Sequence, residues 1–510
     1  MTLMYNGQIV NRSEVCIMKK IIVIGGGIAG LSAGIYAQKC GFSATVLESH
    51  SIAGGNCTSW KRKGYLFEGG MHWLTGSDPS SPVHKLWRYT GALNDSVIIR
   101  RDEPFYEFDW NGTCIKMFRD VDRTEKHWIE IAPQDEKEIR RLCNYMRKIK
   151  GLNMPISDLR GVKVTKKNRP PISLLFSAIS AFGVMRKTSK VSRDEYIKRF
   201  SHEGLRNMMR SFTAEESGIM PLVFTMGILA SGDGGFPEGG SLPFVQRMVD
   251  NYSSLGGEIL YKTCVDKVIV ENGRAVGIMA SDKRMDADAV IITADTMQID
   301  HLFDTPPKAP WLDKMRIATQ PTMNVLLSFG INADLSMYPH RYVWKLKEPI
   351  KLDAQTYEDM AINNYAGDPV YSSEGKTALT TMLGGDTYDF WKHAKENGTY
   401  AEEKQKIADT IIAALTAQLP EIEDKIEVVD VATPLTYERY CANWKGSWMT
   451  QMKSGMSMKS YPANIEGLNG VYFAGHRMMP PGGLPIALQS GRTAVQYLCR
   501  DTDTVFVSED

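Results

Sequence analysis

The sequence predicts an α/β fold organised on a parallel sheet, with an interleaved α+β lobe, and three stretches carry that prediction. The first is Lys19 to Glu48, where a short β-branched run, Ile21 to Ile24, leads into Gly25-x-Gly27-x-x-Gly30, a helical pattern and a second strand. The second is the apolar run of Asp288 to Ala294. The third is Gly470 to Leu498, a strand ending in glycine, then a proline-glycine turn and a helix. Short continuous apolar runs of this kind suit strands covered on both faces, as parallel strands are.

In the first stretch each glycine has its own task. Gly25 makes the tight turn, Gly27 lets backbone approach a pyrophosphate, and Gly30 lets the helix pack against the strand. Leu31, Ile35 and Tyr36 open the helix, whose N-terminus faces the phosphates, and Gly41 ends it. Ala44 to Leu47 form the second strand, and Glu48 stands at its end, where a carboxylate accepts hydrogen bonds from an adenosine ribose. No arginine follows this acid directly, which suits an unphosphorylated ribose and disfavours NADP. The stretch therefore predicts a Rossmann-like dinucleotide site.

Just downstream, Gly54-Gly55 lies a few residues beyond the acid, and Glu68-Gly69-Gly70-Met71-His72 follows a short strand. A plain NAD dehydrogenase needs no second glycine pair there. The segments AGGNCTSW and FEGGMHWLTG resemble the phytoene desaturase, carotenoid isomerase and retinol saturase family of FAD-dependent oxidoreductases, most closely the retinol saturase and carotenoid isomerase branch. The resemblance runs from Met18 onward, specific at both ends and diffuse in the middle. It implies a glutathione-reductase-type FAD-binding domain, without a separate NAD domain, built from residues 18–95, 235–310 and 440–505. A substrate-binding domain, 96–234 and 311–439, is interleaved with it.

The resemblance also implies non-covalent FAD. Its contacts would come from Gly25, Gly27, Ile28, Ala29, Gly30 and Glu48, then from Gly54, Gly55, Asn56, Gly70, Met71 and His72, with Val265 at the adenine. At the far end, Gly475 and His476 would approach the ribityl-phosphate. The turn Pro480 to Pro485 would set a helix start, with Gly483, Leu484 and Ile486, at the flavin's pyrimidine edge. A positive dipole end there favours an anionic reduced flavin. Many relatives carry an acid directly after that glycine, whereas this chain has His476.

Composition excludes several other classes. At 510 residues the chain has length for two or more lobes. Its 60 lysines and arginines balance 59 aspartates and glutamates, so no global field draws it to nucleic acid. The 8 cysteines are scattered without C-x-x-C, which argues against a disulfide framework or any metal site and for a reducing cytosol. No run reaches the ~18 apolar residues of a membrane span. Residues 1–17 are polar, without an apolar signal core, and read as a loose extension before a plausible start at Met18.

Along the middle of the chain, Glu103 to Trp110 and Thr113 to Arg119 predict a hairpin turning at Asn111-Gly112. Asp135 to Ile149 predicts an amphipathic helix with Ile139, Leu142, Met146 and Ile149 on one face. Arg160 to Arg193 is basic without any acid and surrounds the apolar run Ile172 to Met185. That run reads either as a core helix with solvated ends or as a helix lying on a membrane surface, its basic flanks meeting anionic lipid. The second reading makes the protein cytoplasmic and peripheral on the inner face of the membrane. Further on, Leu242 to Tyr252 predicts a helix, short strands include Val265, and no second G-x-G-x-x-G appears. Thr322 to Gly330, Ala378 to Gly384 and Ile426 to Thr433 predict a second sheet. Ala401 to Leu419 predicts a helix stopped by Pro420.

The chain shows no Ser-His-Asp pattern and no H-E-x-x-H, so the hard chemical step falls to flavin N5. His72, Tyr437 and His476 are the candidate acid–base residues, each with a cofactor-orienting alternative. Arg439 is a candidate for a carboxylate head group, or else for a salt bridge between lobes. The expected substrate is a hydrophobic carotenoid, retinoid or unsaturated fatty acid, changed at C=C bonds by desaturation, saturation or isomerisation, with the electron partner left open. A flavin amine oxidase and a non-catalytic lipid escort on the same fold are the alternatives.

Overall fold

The computed structural model describes the backbone pairing of Met4–Tyr5 with Gln8–Ile9, and residues 18–509 except 153–154, 169–171, 189–190, 213–218, 454–455 and 457–458. The expected loose extension over 1–17, Arg169, Lys190 and the side chains of 172–178 and 185 lie outside the described residues. The chain opens with β1 (Lys20–Ile24), α1 (Ile28–Lys39), β2 (Ser43–Leu47) and a hairpin of β3 (Ser59–Arg62) and β4 (Tyr65–Glu68). The predicted hairpin follows as β5 (Tyr106–Trp110) and β6 (Thr113–Met117). Asn111 and Gly112 turn it with φ of 50° and 84°, the left-handed pair that matches strand twist. Next come α2 (Glu136–Ile149), α3 (Ile172–Thr188) and α4 (Met220–Ala230).

The chain then returns to the first layer through α5 (Ser241–Ser254), β7 (Glu258–Leu260) and the meander β8 (Val265–Glu271), β9 (Arg274–Ala280) and β10 (Lys283–Asp286), which leads into β11 (Ala289–Ile292). The second excursion comprises β12 (Asn324–Ile331), β13 (Arg341–Leu352), β14 (Gln355–Asn364), β15 (Thr377–Gly384), α6 (Tyr400–Gln418) and β16 (Ile426–Ala432). It comes back through α7 (Pro434–Cys441) to β17 (Val471–Phe473) and α8 (Leu484–Asp501).

A five-stranded parallel sheet in the order β7-β2-β1-β11-β17 is the first layer. Ile21, Val23 and Ile291 pack with residues of α1, α5 and α8, while Ile22, Ile24 and Ile292 pack with Val268 and Ile278 of the meander. Burial on both faces is why these strands are apolar without alternation. A seven-stranded sheet in the order β16-β12-β15-β14-β13-β5-β6 is the second, antiparallel except where β13 meets β5. On one of its faces Leu327, Phe329, Ile362 and Leu379 bury against Ile407, Ile411 and Leu415 of α6. Its other face is turned to the cavity described below.

Two features depart from the sequence reading. The long hairpin of β13 and β14 was not anticipated, because its outer part, Lys347 to Pro349, is charged, proline-bearing and exposed, and the register slips between Lys345 and Ile350. Segment 156–168, expected with the substrate domain, instead packs on the parallel-sheet layer. There Val164 bridges Phe506, and Asp158 Oδ1 accepts from Arg492 Nη2 at 2.6 Å. Among the described residues no helix is long and apolar enough to cross a membrane.

Candidate active site

A cavity of about 890 Å3 follows the carboxyl ends of β1, β2, β11 and β17 and continues between the two sheets. That is the crevice in which open α/β sheets bind ligands. Its first end is lined by Gly25, Gly27, Ile28 and Ala29, faced by Gly54, Gly55 and Asn56, with Glu48 and Val265 beyond. α1 begins at Gly27 with no side-chain cap, so its first amide groups are left for a ligand. A Cβ on Gly27 would stand 3.8 Å from the Gly54 carbonyl oxygen, in the gap itself rather than in protein. Gly30 is outside the lining. A Cβ there would run into the Gly25 carbonyl, so its task is helix–strand contact. Glu48 is fixed by Gly26 N–H donating to Oε2 at 2.7 Å and His50 N–H to Oε1 at 2.8 Å.

The middle of the cavity is walled on one side by Gly70, Met71 and His72 and on the other by Gly475, His476, Gly483, Leu484 and Ile486. Glu68 shapes the first wall. Its fully buried carboxylate accepts from the amides of Gly70 and Met71, each at 2.9 Å, and from Ser241 N–H at the start of α5, also at 2.9 Å. A carboxylate at a helix start, saturated with donors, holds the glycine loop against the cavity without a cationic partner. The second wall is tied by the buried pair of Arg477 and Asp295, bonded at 2.7 and 2.6 Å. Asp295 also accepts from Trp444 N–H at 2.8 Å. α8, like α1, starts at an uncapped glycine, Gly483.

Several lining groups are buried without a partner: Nδ1 of His72, Nδ1 of His476, both ends of the Asn324 amide and Nε1 of Trp448. Native interiors rarely leave such atoms unpaired, so they mark where a polar ligand belongs. Two uncapped helix starts, a carboxylate fixed at a strand end and this set of open donors and acceptors fit a dinucleotide ending in a heterocycle with polar edges, as FAD does.

Burial, reinforced by the charges of Arg341 and His340, pushes the His72 ring down to about 3. Burial likewise takes His476 to about 3, with Arg477 adding to the effect. Burial therefore favours the neutral form of both imidazoles. Burial raises the Tyr437 phenol above its ordinary range, beside Asn324.

Tyr437 lines the cavity along with His72 and His476. Arg439 does not. It is exposed on α7, its guanidinium 5.2 Å from the Tyr440 ring centre, and is not brought to the site. Sequence reasoning assigned no role to Glu68, Asp295, Arg477, Asn324 or Trp448. Asp295 had a legible signal, an acid at the carboxyl end of a parallel strand. The others are joined to the site only by folding.

Beyond the flavin-sized portion, the lining becomes apolar with Trp73, Leu152, Met220, Pro221, Phe224 and Ile228. Phe224 is exposed at 39 % and marks the mouth. The acids on the whole lining are Glu48, Asp233 and Asp295. Each is engaged, Asp233 by the amides of Gly76, Ser77 and Gly234 at 2.8–2.9 Å.

A dinucleotide cradle at the strand ends, continuous with an apolar chamber beneath a second sheet, defines an FAD-dependent oxidoreductase. The chain belongs to the flavin containing amine oxidoreductase family, whose sequence model matches residues 28–499. It is similar to a lycopene-forming phytoene desaturase of Pseudescherichia vulneris, 23% identical over 95% of this chain and 100% of the relative. It is also similar to prolycopene isomerase 2 of an Oncidium hybrid cultivar, 23% identical over 94% of this chain and 84% of the relative. An all-trans-retinol 13,14-reductase of Danio rerio is 21% identical over 83% of this chain and 76% of its own length. Among solved structures, an oxidoreductase from Methanosarcina mazei matches with a TM-score of 0.62 at 20% identity, covering 94% of this chain and 99% of that one. A putrescine oxidase bound to putrescine matches at 0.60 and 15%, covering 95% and 99%. At these identities the two structures speak for the fold alone.

Proposed function

We propose that the protein changes carbon–carbon double bonds of a hydrophobic unsaturated lipid, by desaturation, saturation or isomerisation. The observation that carries this reading is the apolar chamber of Trp73, Leu152, Met220, Phe224 and Ile228, which continues the cofactor cleft. The full-length similarity to proteins named for carotenoid and retinol substrates supports it. FAD, when bound, supplies hydride exchange at its N5. The chain's own residues do the rest. Gly27 and the starts of α1 and α8 hold the cofactor, the Glu68-anchored loop sets its position, and the apolar lining excludes water from the reacting carbons.

An amine substrate fits less well. The three acids on the lining are each engaged by other groups, and the chamber beyond the cofactor cleft is lined by apolar side chains that offer an ammonium no charge. The test is anaerobic incubation of oxidised and reduced holoenzyme with polyenes, retinoids, unsaturated fatty acids and primary amines. The expected result is an altered number or geometry of double bonds in a lipid. Amine oxidation with every lipid unchanged would overturn the reading.

We further infer that the protein reaches such lipids at a membrane surface through α3. Ile179 and Phe182 stand out from this helix, exposed at 64 % and 68 %, while Ala181 and Val184 pack inward. Arg186 and Lys187 near its end are exposed, as are Lys166 and Lys167 in the segment that precedes it in the sequence.

A further inference from the structure

The end of α7 crosses the dinucleotide end of the cavity. Tyr440, Cys441, Ala442 and Asn443 all line it, yet Tyr440 and Ala442 are also exposed, so this stretch is a wall with the cleft on one side and solvent on the other. Its contacts fall on both banks of the cleft. Asn443 Nδ2 donates to Asn56 Oδ1 at 2.6 Å, and the Tyr440 ring meets His50 edge-on at 5.3 Å between ring centres. Both partners follow β2 in the chain. The next residue, Trp444, donates its N–H to Asp295 Oδ2 at 2.8 Å, and Asp295 lies just past the end of β11.

β1 runs between β2 and β11 in the sheet. A segment fixed beside β2 on one bank and beside β11 on the other therefore spans the end of β1, where Gly25, Gly27 and the start of α1 line the cavity. Strands flanking a common neighbour are about 10 Å apart, a gap that Asn443, its side chain and Trp444 bridge. Asn56 belongs to the same place, since its loop is tied to the cradle by Gly54 N–H donating to Gly26 O at 2.9 Å. The two banks hold the segment unequally. On the β11 side Asp295 is locked by buried Arg477, and Gly446 folds back where a Cβ would meet the Pro434 carbonyl. On the β2 side the polar hold is, among the described residues, the neutral amide pair of Asn443 and Asn56. Neutral pairs are weaker than charge-assisted ones, so this is the side that lets go first. Between the two, Ala442 takes a φ of 50°, a left-handed conformation uncommon for a residue with a Cβ, which places a hinge there.

We propose that residues 440–443 form a strap over the pyrophosphate cradle, latched by Asn443 on Asn56, and that FAD enters and leaves only while the latch is open. The strap concerns the cofactor and is independent of the substrate reading above. An elongated dinucleotide lying along the strand ends cannot pass sideways through a wall that joins both banks. The latch joins two protein side chains, so it forms with or without the cofactor. Its loss then raises the open population of both states by the same factor, which speeds entry and release alike and leaves the affinity where it was. A residue that held the cofactor itself would, on removal, speed release and weaken affinity instead.

The test measures, by flavin fluorescence, the release of FAD from diluted holoenzyme and its rebinding to the stripped protein. Asn443→Ala should speed both steps about fivefold, the scale of one lost neutral hydrogen bond, at an unchanged Kd. Asn56→Ala should speed entry as Asn443→Ala does, and the double variant should admit FAD no faster than either, because the same latch is already gone. Tyr440→Ala, which removes the ring contact with His50, should move both rates in the same direction, and it carries the test if Asn443→Ala does not fold. Faster release with unchanged entry and a weaker Kd in Asn443→Ala makes Asn443 a cofactor contact and overturns the strap. Additive gains in entry for the double variant overturn the latch, and so do wild-type rates in both Asn443→Ala and Tyr440→Ala.

Discussion

Gly27 and Gly30 belong to one motif and do opposite things, which makes them a sharp probe of the site. A side chain at Gly27 would enter the gap to Gly54 and Gly55, where the structure leaves ordinary van der Waals room. One at Gly30 would meet the Gly25 carbonyl. Gly27→Val should therefore give a protein with near-wild-type circular dichroism and little bound FAD, since the branched side chain stands where the pyrophosphate approaches. Gly30→Val should lose folded protein itself, by more than the ~1–3 kcal/mol typical of overpacking, because the obstruction is backbone. Equal flavin content in wild type and Gly27→Val would place the cofactor elsewhere. Glu68 shows the same division of labour in a charged residue: it never needs to touch the ligand, yet it holds Gly70 and Met71 in place.

α3 carries the question of how an insoluble substrate arrives. Its buried Ala181 and Val184 pack with α2 and its neighbours, so the helix is part of the second core. The exposed Ile179 and Phe182 are left over from that packing, and exposed Arg186 and Lys187 follow them on the same helix. The helix is thus both core element and candidate lipid contact, two roles that the sequence posed as alternatives. Each exposed basic residue near an anionic surface contributes about 1 kcal/mol, less as salt rises. Vesicles containing phosphatidylserine should sediment the protein at low salt and release it at high salt, while neutral vesicles should leave it in solution. Changing Lys166, Lys167 and Lys187 to glutamate together with Phe182→Ser should abolish sedimentation and preserve flavin content. Indifference of the wild type to anionic vesicles would leave Phe182 and Ile179 without this role.

For the folded molecule, the price of burying three neutral imidazoles is a dependence on pH. Burial is the main cause in each case, holding His72 and His476 to about 3 and His340 to about 4. In the unfolded chain they titrate near ~6.5. Between these values the unfolded state binds protons that the folded state refuses, so stability declines as pH falls from about 6.5 toward 4. Asp359, raised by burial to about 6, acts in the opposite direction between its unfolded value and 6, while His127, also lowered by burial, acts with the three. The melting temperature of the apoprotein should therefore drop steadily from pH 7 to pH 5. A flat or rising profile over that interval would show that these rings are not held neutral.

The strand, glycine turn and helix of Lys19 to Glu48 were legible because each is decided locally. A β-branched run wants a covered strand, Gly25 takes a φ of 104°, and Glu48 follows directly at a strand end. The same holds for the Asn111-Gly112 hairpin and for the apolar stripe of α6, where pattern and periodicity lie within a few turns of chain. The partnerships that close the site were not legible, because they join residues far apart in sequence. Asp295 meets Arg477 across 182 positions, and Glu68 meets Ser241 across 173. Arg439 looked available because a sequence shows charge without direction, and the turn of α7 points it to solvent.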